Sequence, residues 1–552
     1  MTNKEIANQF NALAKIMELH GENPYRFKSY ANVYIQLRKL QTPLTEMPEK
    51  EIAAVKGVGK GALSKIQEII STGQLAALEE YKAKTPPGIL EMLNIKGFGP
   101  KKIMSLWKEL EIETVGELLY ACNENRLVEL KGFGAKTQED LRKKLAYHLQ
   151  SRGKSHYAAI EPKAQEYLNW LTKKLKPKAI DFVGEMGRYC PIINQVEVLV
   201  ATDKNIDDLF DDKTNILSEK TGEGSYKSEF KETSVTLHVC EMESFGSKKF
   251  RYTSSPEFIK GFLAKAKSKD FTGMANEKEV FAKAKIPFIA PELRETAAIV
   301  DLALKNKLPE KLIEASDIKG VIHSHTTYSD GIHSLEEMVT YAQEKGFSYI
   351  AITDHSKAAF YANGLHEDRL KTQWEEIDQL NAKMTDFKIF KSIESDILND
   401  GSLDYDERIL KQFDFIIASV HSNLKMDKEK ATTRLLKAIE NPYTKILGHP
   451  TGRLLLSREG YPIDHAKIID ACAANGVSIE LNANPYRLDI DYTWIPYAKE
   501  KGVLISINPD AHSREGIHDI RFGVYAARKG QLTAETCLNS RSLADFEAYM
   551  SS

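Results

Sequence analysis

Between residues 319 and 512 one pattern recurs seven times: a short apolar run, one or two polar residues, then a stretch with helical spacing. The runs are GVIHSH (320–325), SYIAITDH (348–355), KIFKSIESD (388–396), FDFIIASVH (413–421), KILGH (445–449), VSIELNAN (477–484) and VLISINPDAH (503–512). The segments between them read as helices. In SLEEMVTYAQEKG, Ser334 and Glu337 make a capping box and Gly346 closes the helix. Seven strand–helix alternations imply a parallel sheet closed into a barrel. In such barrels the reactive groups sit where strands end and loops begin.

The ends of these runs carry ligand-type residues. His323 and His325 end the first, and Asp330 lies in the loop after it. His355 ends the second, Glu394 the third, His421 the fourth and His449 the fifth; Asp510 and His512 end the seventh. A single histidine at a strand end is most often a structural residue. Six strand ends that all supply His, Asp or Glu predict a multinuclear metal site. Ten of the 14 histidines follow residue 316, whereas the five cysteines lie far apart with no CxxC, so neither a cysteine zinc site nor a disulfide framework is expected. The donor set suits Zn, Mn or Fe. Clustered divalent ions activate water and neutralise a phosphate under attack, and no motif resembles a nucleophilic serine or cysteine elbow, so metal-assisted phosphoester hydrolysis is the expected chemistry. Arg453 and Arg487 follow the fifth and sixth runs; each reads either as a bidentate phosphate clamp or as a surface salt-bridge partner. His333, His366, His465 and His518 fall away from strand ends and read as surface or substrate-edge residues.

The motifs HSHTTYSDG, ITDHS, SIESD, SVH, GHP and PDAH, spread over 316–552, resemble those of the PHP (polymerase and histidinol phosphatase) family. The resemblance implies a distorted seven-stranded barrel holding three divalent metal ions. By motif, His323, His325, Glu394 and Asp510 would hold one ion. Glu394 would bridge to a second, held by His421 and His449, and Asp330, His355 and His512 would hold the third. Glu394 and Asp510, with Arg453 and Arg487, would form the catalytic group. Aspartate at 330 resembles the branch of the family that is fused to DNA polymerases.

Residues 1–150 read as nearly all helix, with 22 Lys+Arg against 18 Asp+Glu. That balance is too mild to predict nucleic-acid binding, so geometry must carry the argument. Three segments repeat: VKGVGKGALSKI (55–66), IKGFGPKKIMSL (95–106) and LKGFGAKTQEDL (130–141). Their glycines (Gly57, Gly59, Gly97, Gly99, Gly132, Gly134) permit a tight turn before a helix whose first N–H groups can face an anion. Lys60, Lys65, Lys101 and Lys136 stand on those helices. Three such hairpins predict helix-hairpin-helix modules that grip DNA phosphates without reading sequence; the plainer reading is helix–helix turns with capping glycines.

Their order resembles the N-terminal region of family X DNA polymerases. NPYRFKSY (23–30) and VKGVGKGALSKIQEII (55–70) match that family's 5′-phosphate-binding domain and put Lys65 at its lyase position, although a phosphate-contacting or solvated lysine is the simpler alternative. The resemblance continues through SFGSKKFRYTSSPEFIKGFL (244–263) and IPFIAPELRE (286–295), implying a palm and a thumb. The palm's metal-binding carboxylates are missing: in GEMGRYCPIINQVEVLV (184–200) the Asp-x-Asp pair is replaced by Gln195 and Glu197, and Thr236 stands at the third aspartate. Two-metal nucleotidyl transfer needs several carboxylates, so the polymerase chemistry is expected to be lost.

The expected organisation is a multidomain α/β chain: a helical 5′-phosphate-binding domain (1–85), helix-hairpin-helix fingers (86–152), a degenerate α+β palm (153–250), a thumb (251–306) and a phosphoesterase barrel (316–552). The expected function is 3′→5′ hydrolysis of DNA in repair, including trimming of 3′ ends or cleavage at abasic sites, on DNA with gaps, nicks or 3′ ends bound without sequence specificity. The alternatives are an active gap-filling polymerase, disfavoured by the lost carboxylates, a small-molecule phosphatase of the histidinol-phosphate type, disfavoured by the hairpins, and a non-catalytic DNA-binding scaffold, disfavoured by the full ligand set. No apolar run approaches the roughly 20 residues of a membrane helix, and MTNKEIANQF has no signal-peptide core, so the expected location is cytoplasmic.

Overall fold

Helices supply the regular structure of the first of two units, Met1–Ala146, among the described residues. The computed structural model describes residues 1–551 except 41, 96, 97, 129, 131, 151, 152, 205, 207–214, 223 and 232, with the backbone alone for 146–150 and 215–222. Helix Asn3–Leu19 opens on a capping box in which the Thr2 side chain accepts from the Glu5 N–H and Glu5 accepts from the Thr2 N–H. Its Ile6, Phe10, Leu13 and Met17, three or four residues apart, pack with Val33 and Leu37 of helix Pro24–Leu37 and with Ile66 and Ile69 of helix Lys60–Thr72.

The second unit, Tyr147–Ser552, carries a mixed sheet after its helix Tyr157–Leu175. Its strands are β1 (Ala179–Val183), β2 (Val196–Ala201), β3 (Asn215–Gly222), β4 (Ser225–Phe230) and β5 (Thr233–Cys240), in the order β1-β2-β5-β4-β3. Only the β2–β5 pair is parallel. Helices between residues 245 and 304 follow, gathered around Phe250, Phe258, Phe262 and Phe281.

The rest is the expected barrel. Its strands are β6 (Gly320–Val321), β7 (Tyr349–Ile352), β8 (Lys388–Asp396), β9 (Phe415–Ser419), β10 (Thr444–Leu447), β11 (Ser478–Asn482) and β12 (Ile505–Asn508). They pair in chain order, all parallel. The edge strands β6 and β12 meet at one bridge, Ser324 with Ala511, made by His325 N–H to Ala511 O (2.8 Å) and Ala511 N–H to His323 O (3.2 Å). Lower down, the Asn539 amide spans the same seam. It donates to Ile507 O (2.9 Å) and Gly320 O (3.3 Å) and accepts from Ile507 N–H (2.7 Å).

Side chains alternate along each strand. Ile350, Ile352, Ile389, Ile393, Ile416, Ile479 and Ile505 face outward into the core shared with the helices. The opposite set fills the interior in layers. At the bottom, Tyr349, Phe390 and Phe415 close around Phe546 of helix Leu543–Ser551, with the Tyr349 and Phe546 rings stacked at 4.5 Å. Along β8 the interior set runs Phe390, Ser392, Glu394, from hydrocarbon at the bottom to carboxylate at the mouth. The apolar plug closes the barrel below, so the buried ligand layer rests on a packed hydrocarbon floor.

Candidate metal centre

Glu394, at the mouth end of β8, is the hub. Its Oε1 lies 3.0 Å from His449 Nε2, 3.1 Å from His421 Nε2 and 3.3 Å from His323 Nε2, and its Oε2 lies 2.9 Å from His355 Nδ1 and 3.7 Å from His325 Nε2. Asp510 Oδ1 faces His325 Nε2 at 3.1 Å and His323 Nε2 at 3.4 Å. Asp330 faces His512 Nε2 at 3.4 Å, His355 Nε2 at 3.6 Å and His325 Nδ1 at 3.9 Å. All nine side chains are at most 5% exposed. Among the barrel residues, three groups have ligand atoms within 4.8 Å of one another: His323, His325 and Asp510; His355, Glu394 and His421; and His325, Asp330, His355 and His512. All nine side chains converge on the mouth, but the groups divide differently from the expected sets: His325 and His355 each belong to two, Glu394 groups with His355 and His421 rather than with His323, His325 and Asp510, and His449 joins none, although it lies 3.0 Å from Glu394.

The backbone makes this convergence in a way the sequence did not suggest. Strand alternation alone would set His323 and His325 on one face. In fact β6 ends at Val321, and His323 has φ +71°; across the seam Asp510 has φ +53°. Left-handed backbone is costly for residues with a Cβ. Here it turns both ligands inward just where the first and last strands join.

The electrostatics fit a site for cations. Burial opposes the charge of Glu394, Asp330 and Asp510, yet the surrounding imidazoles hold all three well below the usual carboxylate range. Burial also opposes charge on His355, but Asp330 and Glu394 push it up to about 10, and His323 and His421 are raised by facing carboxylates. Burial drives His325 down to about 3 and lowers His449, helped by the nearby Arg487 charge. Buried carboxylates in this number need positive partners. Divalent ions would supply that charge, displacing protons from the imidazoles as metal binding to histidine generally does.

A supporting layer escaped the sequence reading. Glu480 on β11, fully buried, accepts from His323 Nδ1 at 2.7 Å, Asn508 Nδ2 at 2.8 Å, Asn482 Nδ2 at 3.0 Å and the His449 N–H at 3.1 Å. Asn482 also donates to Asp510 Oδ2 at 2.9 Å, and Asp396 pairs with His421 Nδ1. Such contacts fix the imidazole tautomer so that Nε2 presents its lone pair to the centre. A signal existed: β11 was the one barrel strand with no assigned ligand, and its period of two turns Ser478, Glu480 and Asn482 inward. Asp396 lies two residues beyond Glu394 in the same SIESD motif.

The two arginines differ. Arg453 is committed to the loop: its guanidinium pairs with Asp491 at 2.5 Å, donates to Arg487 O at 3.2 Å and also reaches Leu488 O. Arg487 is buried and close enough to His449 to depress its charge. Of the remaining barrel histidines, His333 accepts from the Arg514 N–H, His518 pairs with Tyr341, His465 stacks on Trp494 and His366 precedes helix Glu367–Asn381. None joins a ligand group among the described residues.

At the positions where the family X resemblance leads one to expect carboxylates, Gln195 donates to Thr236, and Glu197, paired with Thr236 across β2 and β5, accepts from His238 Nε2 at 3.1 Å. In the hairpins, Gly57 and Gly132 have φ +86° and +93°. Gly59 and Gly99 cap helices Lys60–Thr72 and Pro100–Glu109, and Gly134 directly precedes helix Ala135–Gln150. A Cβ at Gly59, Gly99, Gly132 or Gly134 would meet nothing within 4 Å, so these glycines bare backbone rather than make room for internal packing. Lys60, Lys101 and Lys136 are exposed and Lys65 is half-buried. Gly97 lies outside the described residues.

Comparison with known proteins agrees with this architecture. Residues 1–75 match the helix-hairpin-helix domain, 89–146 the SAM-like helix-hairpin-helix tandem and 322–484 the PHP domain. The barrel region is 30% identical over 230 residues to a "probable phosphatase" of Thermoanaerobacter sp. (strain X514), covering 40% of this chain and 89% of that protein. It is 32% identical over 203 residues to another from Caldanaerobacter subterraneus subsp. tengcongensis, covering 34% and 74%. The whole chain aligns with the DNA polymerase/3′-5′ exonuclease PolX of Bacillus subtilis (strain 168), 34% identical over 574 residues and covering 100% of this chain and 99% of that one. A match from end to end, through hairpins, mixed sheet and barrel alike, places this chain in the PolX family.

Proposed function

We propose that the chain is a metal-dependent DNA phosphoesterase that shortens strands from their 3′ ends, and that it no longer polymerises. The observation that carries the first half is Glu394, one carboxylate within reach of five imidazoles in a buried barrel mouth, in a chain whose full-length relative is named a 3′-5′ exonuclease. Divalent ions, three of them and of the Zn, Mn or Fe type, supply an activated water and charge neutralisation. In this reading the nine ligand residues hold those ions, Glu480 and Asp396 orient the imidazoles, and Arg487 rather than the committed Arg453 steadies the phosphate. The hairpins hold DNA at gaps, nicks or ends through phosphate contacts independent of sequence, with Lys65 one of those contacts.

The second half rests on Gln195 and Thr236, neutral side chains at positions that need carboxylates. The family matches at 1–75 and 89–146 fall within the proposed domains 1–85 and 86–152; the palm, thumb and barrel follow at 153–250, 251–306 and 316–552. Among the described residues no helix is long and apolar enough to cross a membrane. The five unpaired cysteines suit the reducing cytoplasm.

The test is metal-loaded protein on end-labelled gapped DNA, with and without dNTPs. Products should shorten in both cases and never lengthen, and Glu394→Gln should leave the DNA intact. Templated extension by Glu394→Gln protein would show that the sheet still polymerises.

A further inference from the structure

Among the described residues of 316–552, three large apolar side chains are exposed: Ile332 (54%), Phe360 (77%) and Leu456 (39%). Single exposed apolar residues are ordinary. These three share a location. Ile332 lies two residues beyond Asp330 in the loop after β6, Phe360 five beyond His355 in the loop after β7, and Leu456 seven beyond His449 in the loop after β10. All three belong to loops at the metal-bearing end of the barrel, and the loops at the plugged end carry none.

Phe360 is also held firmly in its exposed position. The Ser356 N–H donates to Glu394 O at 3.1 Å, so the loop starts on the strand that bears the hub carboxylate, and the Leu365 N–H returns to His355 O at 2.8 Å. Between them the Ala358 N–H donates to Asp404 at 2.6 Å, and a Cβ on Gly364 would lie 2.0 Å from Ser356 O. Asn363 and Arg369 tie the turn to the loop that carries Asp330. Tyr361 bridges inward: its ring lies 6.5 Å from that of His355 and 5.7 Å, edge-on, from that of Phe360. An aromatic path therefore runs from a ligand histidine to solvent, and its outer ring is bare.

We propose that Phe360, backed by Tyr361, stacks on the base of the terminal nucleotide, with Ile332 and Leu456 flanking the opening, so that the centre takes nucleoside phosphoesters rather than small phosphomonoesters. The inference rests on the reading of the barrel as a DNA phosphoesterase. Aromatic–base stacking suits a centre that must accept any base, because every base has a π-face. It also separates the two kinds of relative, since a small phosphate ester without a base has nothing to place on the ring.

The experiment uses full-length, metal-loaded protein and two labelled single strands that differ only at the 3′ terminus, one a normal nucleotide and the other a tetrahydrofuran abasic unit. Only the first cleavage is timed. Phe360→Ala should raise KM for the base-bearing end about ten-fold, leave kcat and metal content within about two-fold, and not change the abasic end; Phe360→Trp should restore the wild-type KM. Equal behaviour of Phe360→Ala and wild type on the base-bearing end, or an equal loss on both ends, overturns the stacking role. Failure of wild type to cleave either strand overturns the phosphoesterase reading and this inference with it.

Discussion

At the barrel mouth carboxylate oxygens face imidazole nitrogens; at the five-stranded sheet an amide faces a hydroxyl. In the sheet Gln195 donates to Thr236, and Glu197 takes the His238 Nε2 contact. The other ring nitrogen of His238 meets Ser225 at 2.9 Å, and the ring stacks on Tyr252 at 3.9 Å. Each polar group there has a neutral or local partner, the usual state of buried polar atoms in a folded protein. In the barrel, Glu394, Asp330 and Asp510 crowd into one buried space with six imidazoles, an arrangement costly to bury unless cations complete it. The sheet closes its hydrogen bonds on itself, whereas the barrel mouth gathers buried carboxylates that cations would balance.

The largest test of that contrast is Glu394→Gln. DNA digestion should fall by about 100-fold or more, because a neutral hub cannot hold ions that set the charge of the site. DNA affinity by fluorescence anisotropy should stay within about two-fold, since the hairpins grip phosphates and need no barrel metal. A folded variant that digests normally would move the hydrolytic centre elsewhere, while joint loss of binding and digestion would make the barrel the main DNA-holding surface.

Next in size is Glu480→Gln. It touches no expected metal position but orients His323, so metal affinity in a chelator competition should weaken about 10- to 100-fold. An unchanged affinity would reduce Glu480 to a structural group like those of the sheet.

A smaller effect is expected from replacing Lys60, Lys101 and Lys136 together with alanine. The plot of log binding constant against log salt should become shallower by about 0.9 for each phosphate that is no longer neutralised, with the cleavage rate of saturated enzyme kept. A slope identical to wild type would mean that these lysines do not touch the DNA.

The smallest effect sharpens the comparison from the other side. Gln195→Ala combined with Thr236→Val removes a self-satisfied pair and should leave digestion within about two-fold, because neither partner is left unpaired. A large drop in rate would mean that the sheet takes part in the barrel's reaction.

The nine expected ligands could be picked out because eight stand at the ends of the apolar runs and Asp330 in the loop after the first, where side-chain type and position coincide. Glu480 and Asp396 were not, because a buried carboxylate declares its role only through its partner, and His323 and His421 are 157 and 25 residues away from theirs. The kinks at His323 and Asp510 arise from closing a sheet, which local sequence does not encode. That Gln195 and Thr236 stand where the family X resemblance expects carboxylates could be read directly, whereas the contact of Glu197 with His238 could not. Nothing in the sequence around Phe546 marks it as the barrel's plug; only its packing against Tyr349, Phe390 and Phe415 does. Arg453 and Arg487 looked equivalent until Asp491 engaged the first.

His323 and Asp510 stand on opposite banks of the barrel seam, so an ion that both held would also be a rivet between the first strand and the last. Without it, the Ser324–Ala511 bridge, the Ile332 N–H to His512 O bond and Asn539 hold a sheet whose two margins could otherwise pair with another strand. Chelation then becomes a question of colloidal behaviour as well as of rate. Metal-stripped protein is expected to exchange amide hydrogens faster along 320–325 and 505–512 and to self-associate on standing, and restoring the ion before that association sets in should return a monodisperse sample.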